Sequence, residues 1–390
     1  MSLTQIFYDR PSSHSNVQTR WTLPGGKHIH APSIKILDLG ITVDHASYFP
    51  ALVGAYGLIK KVQVRLNNRL VDIWNAQQLL PLLIAGSGDN EKQVGINSVL
   101  FGSGNNVKYD TESKLLSLER DPVDGKKYSL KLFVYSDLLN NIGVITDPLE
   151  IIVDWESDLK KCLVPVDPET PATTLSVLTP YLSYETFNDT SYAQPSEVPF
   201  RMWVLDQFSI PAITNSSTNQ QYEIRSNAFN NHVVGRLVLV NTPASLTVGT
   251  PDIDMEELYN VFGYYQSTPM AKENFNIAVD GKSILTFRNV NNNATKASLL
   301  ADAFPPTVFS TLAHVHSVQS PLLELQGAAL NGYASIGCAE IGGRVSKELA
   351  LTYRRSSDDN TTYPSLASAL TISCIAEVKC MLKDGLKSYL

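Results

Sequence analysis

Apolar residues recur at every second position in short runs along this chain, and turn formers separate the runs. In VQVRLNNRLVD, residues Val62 to Asp72, Val62, Val64 and Leu66 alternate with polar residues and lead into Asn67, Asn68 and Arg69. Alternation at period two places one face of a strand in a core. Asn-Asn tolerates the positive φ that a two-residue hairpin turn demands. The device returns in FNIAVDGKSIL, residues Phe275 to Leu285: Phe275, Ile277 and Val279 alternate, then Asp280, Gly281 and Lys282 follow. One β-hairpin written twice predicts a chain built from two similar β-domains.

Further runs favour strands. Ile34 and Ile36, then Leu39, Ile41 and Val43, alternate with a one-residue slip near Asp38, which predicts a strand carrying a bulge. Leu130, Leu132 and Val134 form another run, and Leu149, Ile151, Val153 and Trp155 a third. TTLSVLTPYLSYETF extends from Thr173 to Phe187. The second half offers Phe200 to Ile213, Val233 to Val240, Leu349 to Tyr353 and Leu370 to Leu382. Helical patterns are few: Asp72 to Leu80, Asp252 to Phe262 and Thr295 to Ala303. Two GSG stretches, Gly86 to Gly88 and Gly102 to Gly104, punctuate loops. Many short strands without a βαβ rhythm predict sandwiches or jelly rolls rather than a doubly wound sheet.

The Thr-, Ser-, Pro- and Gln-bearing stretch Asn188 to Val198 divides the 390 residues almost in half. Two domains suit that length. The expected organisation is an N-terminal arm over 1–30, a first jelly roll over 31–190, a linker over 191–199 and a second jelly roll over 200–390.

Composition narrows function. Charged residues reach only 18% and the net charge is −7, whereas gripping phosphate backbones requires a dense basic stripe. Specific nucleic-acid binding is therefore not expected. Amide- and hydroxyl-rich runs such as Asn215 to Gln221 and Asn289 to Thr295 suit a weakly charged subunit packing against copies of itself. Before Pro32 the arm is locally basic, with Arg10, Arg20, Lys27, His14, His28 and His30 against Asp9, and reads as a flexible terminus. Cys162, Cys338, Cys374 and Cys380 form no CxxC pair and read as small buried hydrophobes of a protein matured in a reducing compartment. Asn188, Asn215, Asn293 and Asn360 open N-x-S/T triplets that decide nothing alone. The start carries no cationic-then-apolar leader, and the longest apolar stretch, Leu79 to Ala85, is broken by Pro81 and too short to span a bilayer, so a soluble protein made in the cytosol is expected.

Candidate chemistry is thin. The chain has no GxSxG elbow and no Walker A loop, and the GSG stretches lack the Lys-Ser/Thr of a phosphate cradle. His314 and His316 sit at i and i+2, on one face of a strand, but the first following acid is Glu324. His28 and His30 repeat that spacing within the arm. Asp189-Thr190-Ser191 resembles half an aspartic-protease site, with Ser191 where Gly is required and without the second carboxylate. Tyrosines around Tyr181 to Tyr192 and Gly263 to Pro269 suit either an interface or a sugar platform. No catalytic, cofactor-binding or metal residue is assigned, no cofactor is expected, and the chain is not expected to be an enzyme.

The order of segments carries a resemblance. His30 to Gln78 is similar to the opening of the first barrel in major capsid proteins of the double jelly-roll lineage, found in polinton-like viruses, virophages, large eukaryotic DNA viruses and several tailless phages. Gly125 to Trp155 resembles the later strands of that barrel and Leu178 to Phe187 its closing strand. Phe275 to Leu285, with Ser346 to Leu382, resembles the matching parts of the second barrel. Asn141 to Ile145 lacks the Leu-Pro that many large-virus members carry there.

The resemblance implies an all-β fold of two tandem jelly-roll barrels with a few short helices. It implies a structural major capsid protein: a homotrimer forming a pseudo-hexagonal capsomer of an icosahedral shell, found in the virion after synthesis in the host cytoplasm. Implied partners are copies of the chain, neighbouring capsomers, penton or minor capsid proteins and, through the arm, an inner membrane or the genome. Two alternatives stay open: a carbohydrate-binding or glycan-processing protein of two β-sandwiches, and a minor vertex or spike capsid protein.

Overall fold

The computed structural model describes residues 4–43, 47–48, 59–75, 106–110, 115–119, 127–133, 136–157, 164–165, 175–177, 179–211, 219–243, 272–288, 337–356 and 370–390. Eight strands make the first barrel: β1 (Thr4–Asp9), β2 (Gln18–Leu23), β3 (Ile29–Val43), β4 (Ile59–Leu66), β5 (Arg69–Trp74), β6 (Lys127–Phe133), β7 (Leu149–Trp155) and β8 (Tyr181–Phe187). Helix α1 (Asp137–Ile142) lies between β6 and β7. Eight more make the second: β9 (Glu197–Ile210), β10 (Asn219–Ser226), β11 (His232–Pro243), β12 (Lys272–Val279), β13 (Lys282–Arg288), β14 (Gly337–Val345), β15 (Leu349–Ser356) and β16 (Leu370–Lys383).

The two sets have one topology. In the first barrel one sheet runs β1-β8-β3-β6 and the other β2-β7-β4-β5. In the second the orders are β9-β16-β11-β14 and β10-β15-β12-β13. Adding eight to a strand number converts one barrel into the other. Every pairing in both is antiparallel, and no described sheet mixes strands from before Phe187 with strands from after Glu197. This is a jelly roll, twice.

The cores follow the period-two pattern. Val62, Val64 and Leu66 are buried on one side of β4, and Thr19, Trp21 and Leu23 on one side of β2. Each fully buried aliphatic side chain contributes roughly 1.5–3 kcal/mol. Trp155 is buried and donates its Nε1–H to Thr19 Oγ1 at 2.8 Å, so the indole carries no orphaned donor into the core. Burial in β16 is continuous from Ile372 to Val378 because its strand is central. In each barrel a buried acid sits between arginines on the two neighbouring strands of its own sheet: Glu150 lies 3.3 Å from Arg20 and 3.6 Å from Arg65, and Glu377 lies 3.6 Å from Arg201 and 3.8 Å from Arg236.

Both predicted hairpins form, with φ of 49° and 62° at Asn67 and Asn68 and of 53° and 80° at Asp280 and Gly281. The slip near Asp38 is a bulge: Leu130 faces Leu39 while Leu132 faces Ile36, one extra residue on β3. A wider kink opens on the other edge of β3, where Ser183 faces Lys35 but Glu185 faces His30. Pro32 cannot donate to that ladder, and the Ser33 hydroxyl bridges the gap, accepting from Glu185 N at 2.8 Å and donating to His30 O at 2.7 Å.

Three expectations are corrected. Residues 4–30 are not a free arm. From Thr4 onward they supply β1, which pairs with β8 from Thr4↔Phe187 to Asp9↔Leu182, and β2, which pairs with β7. The run starting near Ile34, expected as the opening strand, belongs to the third, β3, which begins at Ile29. The pattern expected to start a helix at Asp72 continues the hairpin instead, with β5 extended through Trp74. Asp252 to Phe262, Thr295 to Ala303, both GSG stretches and the His314–His316 pair lie outside the described residues.

Candidate functional site: the junction between the barrels

Helix α1 is the element that joins the barrels. Ser136 caps it, accepting from Leu139 N at 3.3 Å, and Gly143 ends it with φ of 69°. Leu138, Leu139 and Ile142 are buried. The polar face meets β9: Asp137 Oδ2 accepts from Arg201 N at 2.7 Å, and Asn141 Nδ2 donates to Pro199 O at 3.3 Å. Pro199 is tolerated because β9 is an edge strand. Sequence reasoning missed this helix. Its signal was Ser136-Asp137, an N-cap followed by a first-turn acid ahead of Leu138 and Leu139.

Strand β5 completes the junction, packing against β9 and against the terminal strand Leu386–Tyr389. That strand folds back on β16 through Asp384-Gly385, a third turn with positive φ at both positions. Gly385 sits beside the tip of the first hairpin, where an added Cβ would lie 3.7 Å from Asn67 Nδ2.

Asp72, on β5, is buried at this junction. Its Oδ2 accepts from Ser136 Oγ at 2.6 Å and its Oδ1 from Ile73 N at 2.8 Å. Burial pushes its carboxyl up to about 6, with those bonds and the Lys387 ammonium pulling the other way and Asp137 adding to the rise. The linker is clamped as well. Gln194 Oε1 accepts from Thr146 N at 2.9 Å and Asp147 N at 3.1 Å, and its Nε2 donates to Asp147 Oδ2 at 2.8 Å.

The residues singled out from sequence are structural where they are described. His28 Nδ1 donates to Tyr192 O at 2.7 Å. His30 lies edge-on to Phe187 with Nδ1 3.7 Å from Glu185 Oε2. Both rings belong to the start of β3 and its flank, not to a mobile arm. Asp189 Oδ1 accepts from Ser191 N at 2.9 Å, a local turn. Arg69 and Lys282 are exposed at the hairpin exits. Cys374 and Cys380 are buried free thiols, and burial pushes the Cys380 thiol up to about 11. Trp21, Trp74 and Trp155 are buried and Trp203 half-buried. Among the described residues no three His, Cys, Asp or Glu side chains group as a metal site.

No protein-family model matches the sequence, and no curated protein matches it. Solved structures do match in fold. PBCV-1 VP54, fitted into a cryo-EM reconstruction of the virophage Sputnik, aligns with TM-score 0.58 at 12% identity over 100% of this chain and 97% of that one. The Faustovirus major capsid protein aligns with TM-score 0.56 at 9% identity over 98% of this chain and 91% of that one. A chain of the Sputnik virophage structure aligns with TM-score 0.53 at 11% identity over 100% and 88%. The fold is the double jelly roll. It is similar, from end to end, to that of viral major capsid proteins.

Proposed function

We propose that this chain is a structural major capsid protein whose homotrimers form pseudo-hexagonal capsomers of an icosahedral shell. The observation that carries the reading is the pair of barrels with one strand order, matched over 98% of the chain by the Faustovirus major capsid protein. Function is then geometric: neutral surface is buried between barrels and between capsomers, many weak contacts sum, and no residue is catalytic. Copies of the chain and other capsid components are the partners, and the virion is the location. The division into two barrels between Phe187 and Glu197 is part of this reading, with the first barrel beginning at β1.

Burial of Trp21, Trp74 and Trp155, with Trp203 half-buried, counts against the exposed indole platforms that the sugar-binding alternative requires. Purified protein is expected at three times the chain mass by light scattering, as hexagonal particles in negative stain. A stable monomer that binds glycans would overturn the capsid reading. A trimer confined to the vertices of purified virions would move it to a minor capsid role.

A further inference from the structure

The terminal strand Leu386–Tyr389 fills a gap in the second barrel. Strand β11 runs beside β16 from Pro243↔Leu370 to Leu237↔Ala376, then slips and meets it once more at Val234↔Val378. Beyond that point the place beside β16 belongs to the terminal strand, paired from Cys380↔Tyr389 to Lys383↔Leu386. In the first barrel β3 itself stays beside β8 as far as Thr186↔Ile29. The terminal strand leaves Leu386 and Tyr389 exposed, and Leu390 fastens its end, donating from N to Lys379 O at 3.0 Å and accepting at O from Val233 N at 2.8 Å. Short ladders with exposed side chains open at a lower free energy than core strands.

This strand also reaches across the junction to pack on β5, where Asp72 is buried at the position that the second barrel fills with Leu285. Every element around the carboxyl contributes differently. Lys387 of the terminal strand attracts its charged form, and Asp137 of α1 repels it. Cys380 of β16 lies within electrostatic reach of both Asp72 and Lys387. Strand β4 sets apolar Val64 opposite. On β9, Met202 Sδ accepts from Lys387 Nζ at 3.5 Å, while Arg201 turns its guanidinium to Glu377. Lys387 Nζ also stands 5.2 Å from the centre of the Tyr389 ring. Burial outweighs the attraction, so the carboxyl keeps its proton up to about 6. Its ionisation therefore favours any opening that admits water to Asp72, and of the strands around it the terminal strand has the shortest ladder.

We propose that the terminal strand is a pH-gated strap between the barrels, closed over Asp72 while its carboxyl is protonated and released when the carboxyl ionises, with Lys387 restraining the release. The device goes beyond the capsomer reading and does not depend on it. Amide hydrogen exchange of the full chain tests it, with opening constants corrected for intrinsic rates. Between about pH 5 and about pH 7.5 the opening constant of the terminal-strand amides is expected to rise about tenfold, at values well above those of the β16 amides. Asp72→Asn is expected to abolish the rise, and Lys387→Met to enlarge it.

Terminal-strand amides that open equally at both pH values overturn the strap. So do amides that open only together with those of β16, because whole-chain unfolding then uncovers Asp72. If Asp72→Asn does not fold, the wild type and Lys387→Met decide: a rise that Lys387→Met leaves unchanged removes Lys387 from the device and overturns the proposal as stated.

Discussion

The turns that precede β7 and β15 hold matching places in the two barrels and are capped by two chemistries. In the first barrel the amides of Thr146 and Asp147 are satisfied by Gln194, a neutral amide from the linker. In the second the amides of Ser346 and Lys347 are satisfied by the Asp280 carboxylate, at 3.0 Å and 2.7 Å, from the hairpin tip of the same barrel. The tips dock alike: Asn67 N donates to Pro148 O at 2.9 Å, and Asp280 N to Glu348 O at 3.0 Å. Because the linker does the capping in the first barrel, Asn67 is released to stand beside Gly385 of the second. A repeated fold thus conserves where backbone groups need partners, and leaves open which side chain supplies them.

The largest test of that contrast is Asp72, whose register counterpart in the second barrel is Leu285. Its carboxyl holds a proton up to about pH 6 when folded, against 3.8 ordinarily. Between those values the folded chain binds more proton than the unfolded one, so stability falls as pH rises through the window and levels above it. The shift corresponds to about 3 kcal/mol of cost at neutral pH. Asp72→Asn is expected to flatten the pH dependence of urea midpoints and to raise neutral-pH stability by about 2 kcal/mol, allowing for a weaker bond to Ser136. An unchanged slope would show that Asp72 does not set it.

Next come the irregularities of β3 and β11. The first barrel bridges its kink with a hydroxyl. The second does so with an absent side chain, since a Cβ on Gly235 would run into Glu377 Oε1, itself held between Arg201 and Arg236. Gly235→Ala is expected to cost about 1–3 kcal/mol and Ser33→Ala about 1 kcal/mol, each read in denaturant melts. Equal costs, or a larger one for Ser33, would reverse the contrast.

The smallest effect separates the two turn caps. Amide bonds from Lys347 and then Ser346 hold the Asp280 carboxyl below its ordinary value, so its contribution is present at neutral pH and fades as pH falls through that lowered value. Asp280→Asn is expected to lower the thermal midpoint at pH 7 with a gap that narrows below about pH 4, whereas the gap for Gln194→Ala stays constant. Two parallel gaps would mean that charge is irrelevant at both turns.

Much of the fold was readable because it rests on local pattern: both hairpins, their positive-φ residues and the bulge near Asp38 follow from alternation and turn chemistry. What escaped reading had no such signal. Strand β1 exposes Ile6 and Tyr8 and half-buries Phe7, the reverse of a one-sided pattern, and Arg20 and Lys27 drew its neighbourhood toward a basic arm. Yet Arg20 is a partner of Glu150, and Lys27 donates to Tyr184 Oη at 2.8 Å. The junction was opaque for another reason. Its bonds run from side chains to backbone atoms far along the chain, as from Gln194 to Thr146 and from Asn141 to Pro199, and no spacing rule in a sequence encodes those pairs.

The pairing of β1 with β8 sets a clock. Thr4 waits for Phe187, so the sheet that opens the chain stays incomplete until its last strand has been synthesised. At about 5–20 residues per second that is roughly 10 to 40 seconds. Such distant pairings fold slowly and leave strand edges open to other chains. The interval before β8 arrives is when misassembly competes with folding, and the second barrel repeats the interval until β16 closes on β9.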